Sequence, residues 1–259
     1  MMEAGINLHS LRTLIKTEEG LIGTVERLRD MGYSFVQFSG APFDPEMISR
    51  MISHTGMPVV LTHVPMDRII NDVDTLMEEH AKFGCKKIGL GYIPPEILAD
   101  ECKAKEIIEK LNLSAEKMNK NGYSFFYHNH QFEFYKHGGQ RIIDYMAENA
   151  PYFNFTFDTY WAQYGGVSVI DFIEKLQGRI SCVHLKDYIV AEPLEKDKDF
   201  AILPRFAPVG DGNMDFGKII PKMQECGTEY FIVEQDNAIF FDDPFAQVER
   251  SINYLKKEI

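Results

Sequence analysis

The amino-acid sequence predicts a single α/β domain, an eight-stranded (β/α)8 barrel spanning residues 1–259. Short apolar segments alternate along the chain with amphipathic stretches, which is typical of a parallel sheet. A length of 259 residues suits one such barrel. No Pro-, Gly- or Ser-rich linker divides the chain. The alternative, an open doubly wound sheet, needs a glycine-rich phosphate loop after the first strand, and the sequence NLHSLR at 7–12 contains no GxGxxG.

The predicted strands are short, and several are rich in β-branched or aromatic residues. Their near-continuous apolarity is typical of strands buried on both faces of a parallel sheet. They are Ala4–Leu8, Phe35–Phe38, Val59–Thr62, Lys87–Leu90, Ser124–His128, Asn154–Asp158, Ile180–His184 and Tyr230–Glu234.

Helical periodicity fills the intervals between these strands. Leu21, Val25, Leu28 and Met31 form one apolar stripe, which predicts an amphipathic helix that ends at Gly32. Four more helices are predicted to end at a glycine: Gly84, Gly122, Gly178 and Gly227.

Composition limits the classes of function. The net charge of -12 argues against a nucleic-acid partner, because phosphate binding depends on Lys and Arg. The four cysteines form no CxxC pair, so we expect free thiols. The opening MMEAGINLHSLR has no basic start followed by an apolar segment, and no run approaches about 18 apolar residues. We therefore expect a cytoplasmic protein without a membrane partner.

Polar residues follow five of the eight predicted strands at the same end. In a (β/α)8 barrel, catalytic groups lie at the carboxyl ends of the strands. We therefore expect His128, Asp158, His184 and Glu234 to converge and to bind one divalent metal ion. Two imidazoles and two carboxylates suit Mn, Co, Zn or Fe, with Mg also considered.

Several of these residues have a second interpretation. His128 and His130 are expected to point in different directions, so that only one binds metal, and His128 is preferred because it is closer to the strand. Asp158 could instead cap the following helix. His63 is either a substrate ligand or a structural histidine. The remaining histidines are predicted to lie at the surface: His9, His54, His80 and His137.

Further residues are candidates for substrate binding. Trp161 offers a ring on which a sugar could stack, and Tyr127 belongs to the same aromatic group. Lys186 is expected to bind substrate oxygens or to stabilise an oxyanion, with a salt bridge to Asp187 as the alternative. Arg205 is a candidate for reading a phosphate, after the charged segment EPLEKDKD at 192–199, which is either a lid or a solvated loop.

Five segments together resemble a known family. The sequence FYHNHQFEF at 126–134 resembles the YHNHxxEF motif of the xylose isomerase-like sugar phosphate isomerase/epimerase family. The sequence DTYW at 158–161 resembles its DxxW motif, and RISCVHLKD at 179–187 resembles its RxxxxHLKD segment. The segments VGDG at 209–212 and VEQD at 233–236 also match, so the resemblance covers nearly the whole chain.

This resemblance implies a barrel with one divalent metal, and the family's ligand positions match His128, Asp158, His184 and Glu234. The family commonly has Glu at the first position, where this chain has His128. A proton exchange between two ligand glutamates therefore does not carry over. Glu133 or His130 would act with Glu234 instead.

The resemblance implies a metal-dependent sugar isomerase or epimerase that abstracts a proton next to a carbonyl of a sugar, sugar phosphate or keto-sugar. The principal alternative is a lyase of the inosose dehydratase type. A non-catalytic sugar-binding barrel and a phosphohydrolase or endonuclease are the remaining alternatives. The related endonucleases need an additional His where this chain has Trp161. We expect a small-molecule partner, with a homodimer as the assembly considered.

Overall fold

In the computed structural model of the protein, eight parallel strands close into a barrel. The structure describes residues 3–192 and 202–258. Neighbouring strands follow one another in chain order, and the first strand pairs with the last through Ala4–Phe231 and Ile6–Val233. Helices flank the barrel. The closed (β/α)8 barrel that the sequence predicts is confirmed.

The barrel strands, labelled β1–β8, lie within two residues of their predicted bounds. β1 ends one residue early because the Asn7 side chain accepts a hydrogen bond from His9 N and begins a 3-10 turn at Leu8–Leu11. The strands are Ala4–Asn7, Phe35–Phe38, Val59–His63, Lys87–Leu90, Ser124–His128, Phe153–Asp158, Cys182–Leu185 and Tyr230–Val233.

The α-helices of the described residues are labelled α1–α11. They are Glu18–Met31, Pro45–Thr55, Met66–Asn71, Val73–Ala81, Pro95–Leu98, Glu101–Lys120, Ile142–Asn149, Thr159–Tyr164, Val169–Lys175, Phe216–Glu225 and Pro244–Glu258. The predicted glycine after α1 is confirmed: Gly32 has φ 100°, a left-handed conformation in which a side chain is strained, and its N–H bonds to Arg29 and Leu28 carbonyls.

Two antiparallel hairpins were missed by the sequence analysis. One pairs Lys136–His137 with Gln140–Arg141, and the other pairs Asp187–Ala191 with Leu203–Ala207 directly after β7. The charged segment predicted as a lid or loop lies, apart from Glu192, outside the described residues.

Two layers of inward-facing side chains fill the barrel. Side chains in a strand alternate between its two faces, so residues two positions apart share a face. The lower layer is a buried apolar group: Phe35, Leu61, Phe126, Cys182 and Ile232. Two residues further along each strand comes a polar layer: Gln37, His63, His128, His184 and Glu234. The strand pattern thus puts the polar groups at the carboxyl end of the barrel.

His80 is a correction to the sequence analysis. It was placed at the surface because it follows Glu78 and Glu79, yet it is fully buried. Its Nδ1 lies 2.6 Å from the Leu76 carbonyl and its Nε2 lies 2.8 Å from Thr62 Oγ1. Both ring nitrogens are therefore satisfied inside the protein, and burial lowers the pKa of His80 to about 4.

The cysteines are free thiols, as predicted: Cys85, Cys102, Cys182 and Cys226. Among the helices of residues 3–192 and 202–258, none combines the length and the apolar character needed to cross a membrane.

The interior of the barrel predicts the effect of a methyl group at Gly5. A Cβ there would lie 2.1 Å from the Phe35 ring. Because Phe35 is buried, we expect Gly5→Ala to lower the free energy of unfolding by about 1–3 kcal/mol in a denaturant titration. Gly23→Ala is the control. No atom lies within 4 Å of its Cβ in α1, so it should be neutral or stabilising. Equal stability of the two variants would contradict this packing.

His80 predicts a pH-dependent component of stability. Its pKa in the folded protein, about 4, lies below the ordinary value of 6.5, so the unfolded chain binds more protons between these values. The contribution of His80 is therefore present above pH 6.5 and is lost as the pH falls towards 4. The stability advantage of the wild type over His80→Asn should shrink across that window by up to about 3 kcal/mol. His54→Asn, at an exposed site, should show no such change. An advantage independent of pH would argue against the buried neutral ring.

Candidate metal centre

The four predicted metal ligands converge at the carboxyl end of the barrel. Each of His128, Asp158, His184 and Glu234 offers one atom, and all four atoms lie within 4.8 Å of one another. His128 Nε2 is 3.3 Å from Asp158 Oδ2 and 3.1 Å from His184 Nδ1. Glu234 Oε2 is 3.0 Å from His184 Nδ1. His128, Asp158 and His184 lie at the ends of the neighbouring strands β5, β6 and β7, and Glu234 directly follows β8, which adjoins β7.

Asp158 caps a helix, as one of its two interpretations predicts, and it also faces the ligand cluster. Its Oδ1 accepts a hydrogen bond from Trp161 N, 2.9 Å away, and so caps α8. Its Oδ2 remains directed at His128 and at Lys186 Nζ, 3.3 Å from each. Capping by one carboxylate oxygen therefore fixes the direction of the other.

Gln37 orients two of the imidazoles, and the sequence analysis missed it. Its Oε1 lies 2.7 Å from His184 Nε2, and its Nε2 lies 3.0 Å from His63 Nε2. An amide oxygen only accepts, so His184 carries a proton on Nε2 and turns Nδ1 towards the cluster. The sequence signal that could have identified Gln37 is a polar glutamine within the otherwise apolar strand FVQF.

Asn7, also missed, holds Glu234. Its Nδ2 donates to Glu234 Oε1 over 2.6 Å, and its own Oδ1 accepts from Ser39 Oγ. Glu234 Oε2 is buried and close to Lys186 Nζ at 2.8 Å, but it lacks hydrogen-bond geometry to any partner. One oxygen is thus fixed by Asn7, and the other faces the cluster, where Lys186 and His184 are its ion-pair partners.

Lys186 places a buried ammonium among carboxylates. Nζ lies 3.0 Å from Asp236 Oδ2, in addition to its contacts with Asp158 and Glu234. The alternative of a salt bridge to Asp187 is wrong. The Asp187 carboxylate accepts hydrogen bonds from the backbone N–H groups of Gly210, Gly212 and Met214 among others, and so holds the loop that follows the hairpin.

The charges of the cluster depend on one another. Burial disfavours the charged form of His184, but Glu234 and Asp158 outweigh this and raise its pKa to about 9. Burial also opposes ionisation of Asp158, yet Lys186 and His128 hold its pKa well below the usual range. Burial and the charge of His184 lower the pKa of His128. Anionic carboxylates and a neutral His128 are the forms that bind metals.

The donor set fits a divalent ion. Two imidazole nitrogens and two carboxylate oxygens meet in a buried place, and Glu234 Oε2 lacks a hydrogen-bond partner. Ligands bound at about 2.0–2.2 Å around one ion are separated by roughly the distances found here. Gln37 and Asn7 supply the outer contacts that metal-binding imidazoles and carboxylates usually have.

A cavity of about 320 Å³ opens above this cluster. We name it the polar chamber; it is lined by Asn7, His9, Ser39, Gly40, His63, Gly91, Tyr92, His128, His130, Lys186, Glu234 and Asp236. His63, a predicted substrate ligand, and Lys186 therefore reach it. His9, predicted at the surface, lines it with a partly exposed ring, because the turn after β1 folds over the rim.

The expectation that His128 and His130 point in different directions is wrong. Their ring centroids are 4.5 Å apart, and both line the chamber, as two residues separated by one position share a face. His128 reaches the ligand cluster, whereas His130 does not belong to it. His130 Nδ1 is buried without a hydrogen-bond partner. Burial and the charge of His128 lower the pKa of His130 to about 2, so its ring is neutral.

Glu133 and Tyr127 lie behind the chamber, and the residues lining it include neither. Glu133 is fully buried and accepts hydrogen bonds from the Tyr127 hydroxyl at 2.5 Å and from His130 N at 2.7 Å. The Tyr127 hydroxyl in turn accepts from Ile93 N. Both residues therefore hold the chain around His130, while the proton transfer predicted for Glu133 and the substrate contact predicted for Tyr127 stay predictions.

Trp161 and Arg205 are also outside the chamber lining. The Trp161 ring lies 5.3 Å from the His130 ring and 5.6 Å from Phe206, so it supports His130 from behind. Arg205 lies in the hairpin, where Nη1 donates to the Glu192 carbonyl. Neither the stacking of substrate on Trp161 nor the reading of phosphate by Arg205 finds support in these positions.

A comparison with family models assigns the chain to a family. A family model for the xylose isomerase-like TIM barrel matches residues 25–258. The chain belongs to this family. A search of curated proteins found no match.

Solved structures share the xylose isomerase-like fold. A sugar phosphate isomerase/epimerase from Parabacteroides distasonis is 22% identical with a TM-score of 0.79, over 98% of this chain and 93% of that one. The "probable 3-DHS dehydratase AsbF" of Bacillus anthracis is 10% identical with a TM-score of 0.70, over 99% of both chains. A xylose isomerase-like barrel from Mycobacterium smegmatis in complex with magnesium is 12% identical with a TM-score of 0.73, over 99% and 96%. Identities this low show a shared fold.

Gln37 predicts a measurable contribution to metal affinity. Gln37→Leu removes the acceptor that fixes the His184 tautomer, so we expect the dissociation constant for Mn²⁺ to rise by about 10–100-fold in calorimetric titration. Gln140→Leu, at an exposed site, is the matched control and should bind Mn²⁺ like the wild type. An unchanged affinity in Gln37→Leu would refute the orienting role.

Proposed function

We propose that this xylose isomerase-like barrel is a divalent-metal-dependent sugar isomerase or epimerase that moves a proton next to a carbonyl. The observation that carries the proposal is the pairing of two features in one chamber. His128 and Glu234 of the ligand cluster line it, and so does His130, whose Nδ1 has no hydrogen-bond partner. The reaction needs a site for the carbonyl and a base for the neighbouring proton, and these features supply both.

His128, Asp158, His184 and Glu234 would hold the ion. A bound divalent ion polarises a carbonyl and stabilises the negative charge that develops on its oxygen. The mixed nitrogen and oxygen ligand set accepts several of the ions Mn, Co, Zn, Fe and Mg, and metal analysis of the protein identifies the one bound.

His130 is proposed as a base, and Glu234 as its counterpart. The support for His130 is its position, because its ring lines the chamber and its Nδ1 has no hydrogen-bond partner. His130 follows β5 and Glu234 follows β8, three strands apart around an eight-stranded barrel. The two groups therefore approach the chamber from different sides. A proton removed on one side of a planar enediolate and returned on the other inverts the carbon, which is epimerisation.

Lys186 supplies a fixed positive charge. Nearby Asp158 and Asp236 keep its pKa well above the ordinary value despite burial, so the ammonium stays protonated and donates hydrogen bonds. Lys186 lines the chamber, so its positive charge would stabilise negative charge on a substrate oxygen there. Glu133 acts through His130, because its carboxylate holds the His130 backbone N–H.

Elimination is the second candidate. An enediolate with a leaving group on the next carbon loses that group instead of regaining the proton, and the proton that the base has taken up would pass to the departing oxygen. The similarity in fold to the Bacillus anthracis protein, whose description is that of a dehydratase, favours keeping this outcome.

Exchange with solvent tests the proposal. A panel of ketoses and keto-sugars is incubated with the Mn²⁺-loaded protein in D2O and followed by NMR. Deuterium next to the carbonyl without loss of water is expected for an isomerase or epimerase, and an unsaturated product indicates the lyase. Ligand binding without exchange at any carbon would contradict both.

His130→Ala separates the base from the metal centre. We expect the exchange rate to fall by about 100-fold or more, while the Mn²⁺ affinity changes little, because His130 is outside the ligand cluster. His54→Ala, at an exposed histidine far along the chain, should exchange like the wild type. Full exchange in His130→Ala would rule out His130 as the base.

A further inference from the structure

A second cavity, of about 560 Å³, adjoins the polar chamber. It shares His63, Gly91 and Tyr92 with the chamber, so the two spaces are contiguous along the rim. Its walls come from the segments after β2, β3 and β4, which belong to the carboxyl end of the barrel. We name it the apolar groove. Each space alone has the size of a small-molecule site.

The lining of the groove is apolar. Its side chains include Phe43, Val64, Pro65, Met66 and Leu90, and no Lys, Arg, Asp or Glu is among its lining residues in the described chain. Tyr92 stands at the junction with 51% of its surface exposed, and its ring lies edge-on to His130 at 5.9 Å. An exposed aromatic ring beside a sugar site is a surface on which the C–H face of a second ring packs.

Cations close to the junction are already engaged. Lys186, the one Lys or Arg that lines the chamber among the described residues, contacts three carboxylates. Lys16 donates to the Gly40 carbonyl, and Arg12 donates to the His9 and Asp236 carbonyls. A phosphate at the groove end of a substrate would therefore find no free Lys or Arg among the lining residues described.

We propose that the substrate is an uncharged carbohydrate of two parts, a glycoside or oligosaccharide whose reacting sugar carries the carbonyl group. Its reacting sugar occupies the polar chamber, and its second ring or aglycone occupies the apolar groove against Tyr92. This proposal rests on the proposed function and narrows it, because it disfavours phosphorylated monosaccharides. The groove then selects the substrate through contact with an apolar face, while the chamber carries out the proton transfer.

Binding of matched probes tests the proposal. Dissociation constants are measured by calorimetry with the Mn²⁺-loaded protein for phenyl β-glycosides, methyl β-glycosides, free sugars and 6-phosphates of the gluco and galacto series. We expect a phenyl glycoside to bind about tenfold more tightly than its methyl counterpart, from burial of the ring. The corresponding 6-phosphate should bind no better than the free sugar. Tighter binding of a 6-phosphate, or no preference for phenyl in either series, overturns the proposal.

Variants assign the preference to the groove. Tyr92→Ala should reduce the phenyl-to-methyl ratio of affinities to near one. Met66 lines the groove but not the chamber, and Met66→Ala should reduce the ratio by about two- to threefold. Tyr135→Ala is the matched control, since Tyr135 is 56% exposed and lines neither space. A ratio unchanged in both Tyr92→Ala and Met66→Ala overturns the assignment.

Solvent exchange distinguishes a failure of the proposed function from a failure of the two-part substrate. Exchange with simple keto-sugars but no phenyl preference leaves the proposed function standing and removes the two-part substrate. A phenyl preference without exchange on any carbonyl substrate supports the two-part ligand and contradicts the proposed function.

Discussion

Two buried carboxylates, Asp158 and Glu234, constrain this end of the barrel. Carboxylates in a protein interior are costly unless positive charge compensates them. Lys186 supplies one charge within 3.3 Å of each, and His184, with its pKa raised to about 9, supplies another. A divalent ion bound to the same oxygens would take over the compensation that His184 provides, because the imidazole must lose its proton to bind metal.

Orientation of these groups comes from uncharged neighbours. Gln37 and Asn7 each hold one atom of a ligand and leave the other directed at the cluster. The backbone N–H of Trp161 does the same for Asp158. Each contact originates on the barrel itself or on the turn that follows a strand. The rigid scaffold therefore determines the geometry of the centre, and the loops determine the shape of the space above it.

Much of the fold and of the ligand set could be predicted from the sequence. Polar residues such as Asp158 and Glu234 end the apolar runs of several strands at the same end. This pattern predicts the parallel barrel, and it predicts that these side chains lie close together. The roles of Glu133 and Tyr127 could not be predicted, because a 3-10 turn at Phe132–Phe134 brings the carboxylate back beneath the strand end. His80 was predicted to lie at the surface because its sequence neighbours Glu78 and Glu79 are charged, although it lies on the buried face of α4.

Pulsed EPR of the Mn²⁺-loaded protein tests the central claim, that one ion is held by two imidazoles and two carboxylates. The account predicts one Mn²⁺ per chain with ¹⁴N couplings from two imidazole nitrogens, reduced to one in His128→Gln. Bound Mn²⁺ without any ¹⁴N coupling, or a spectrum unchanged in His128→Gln, would contradict it.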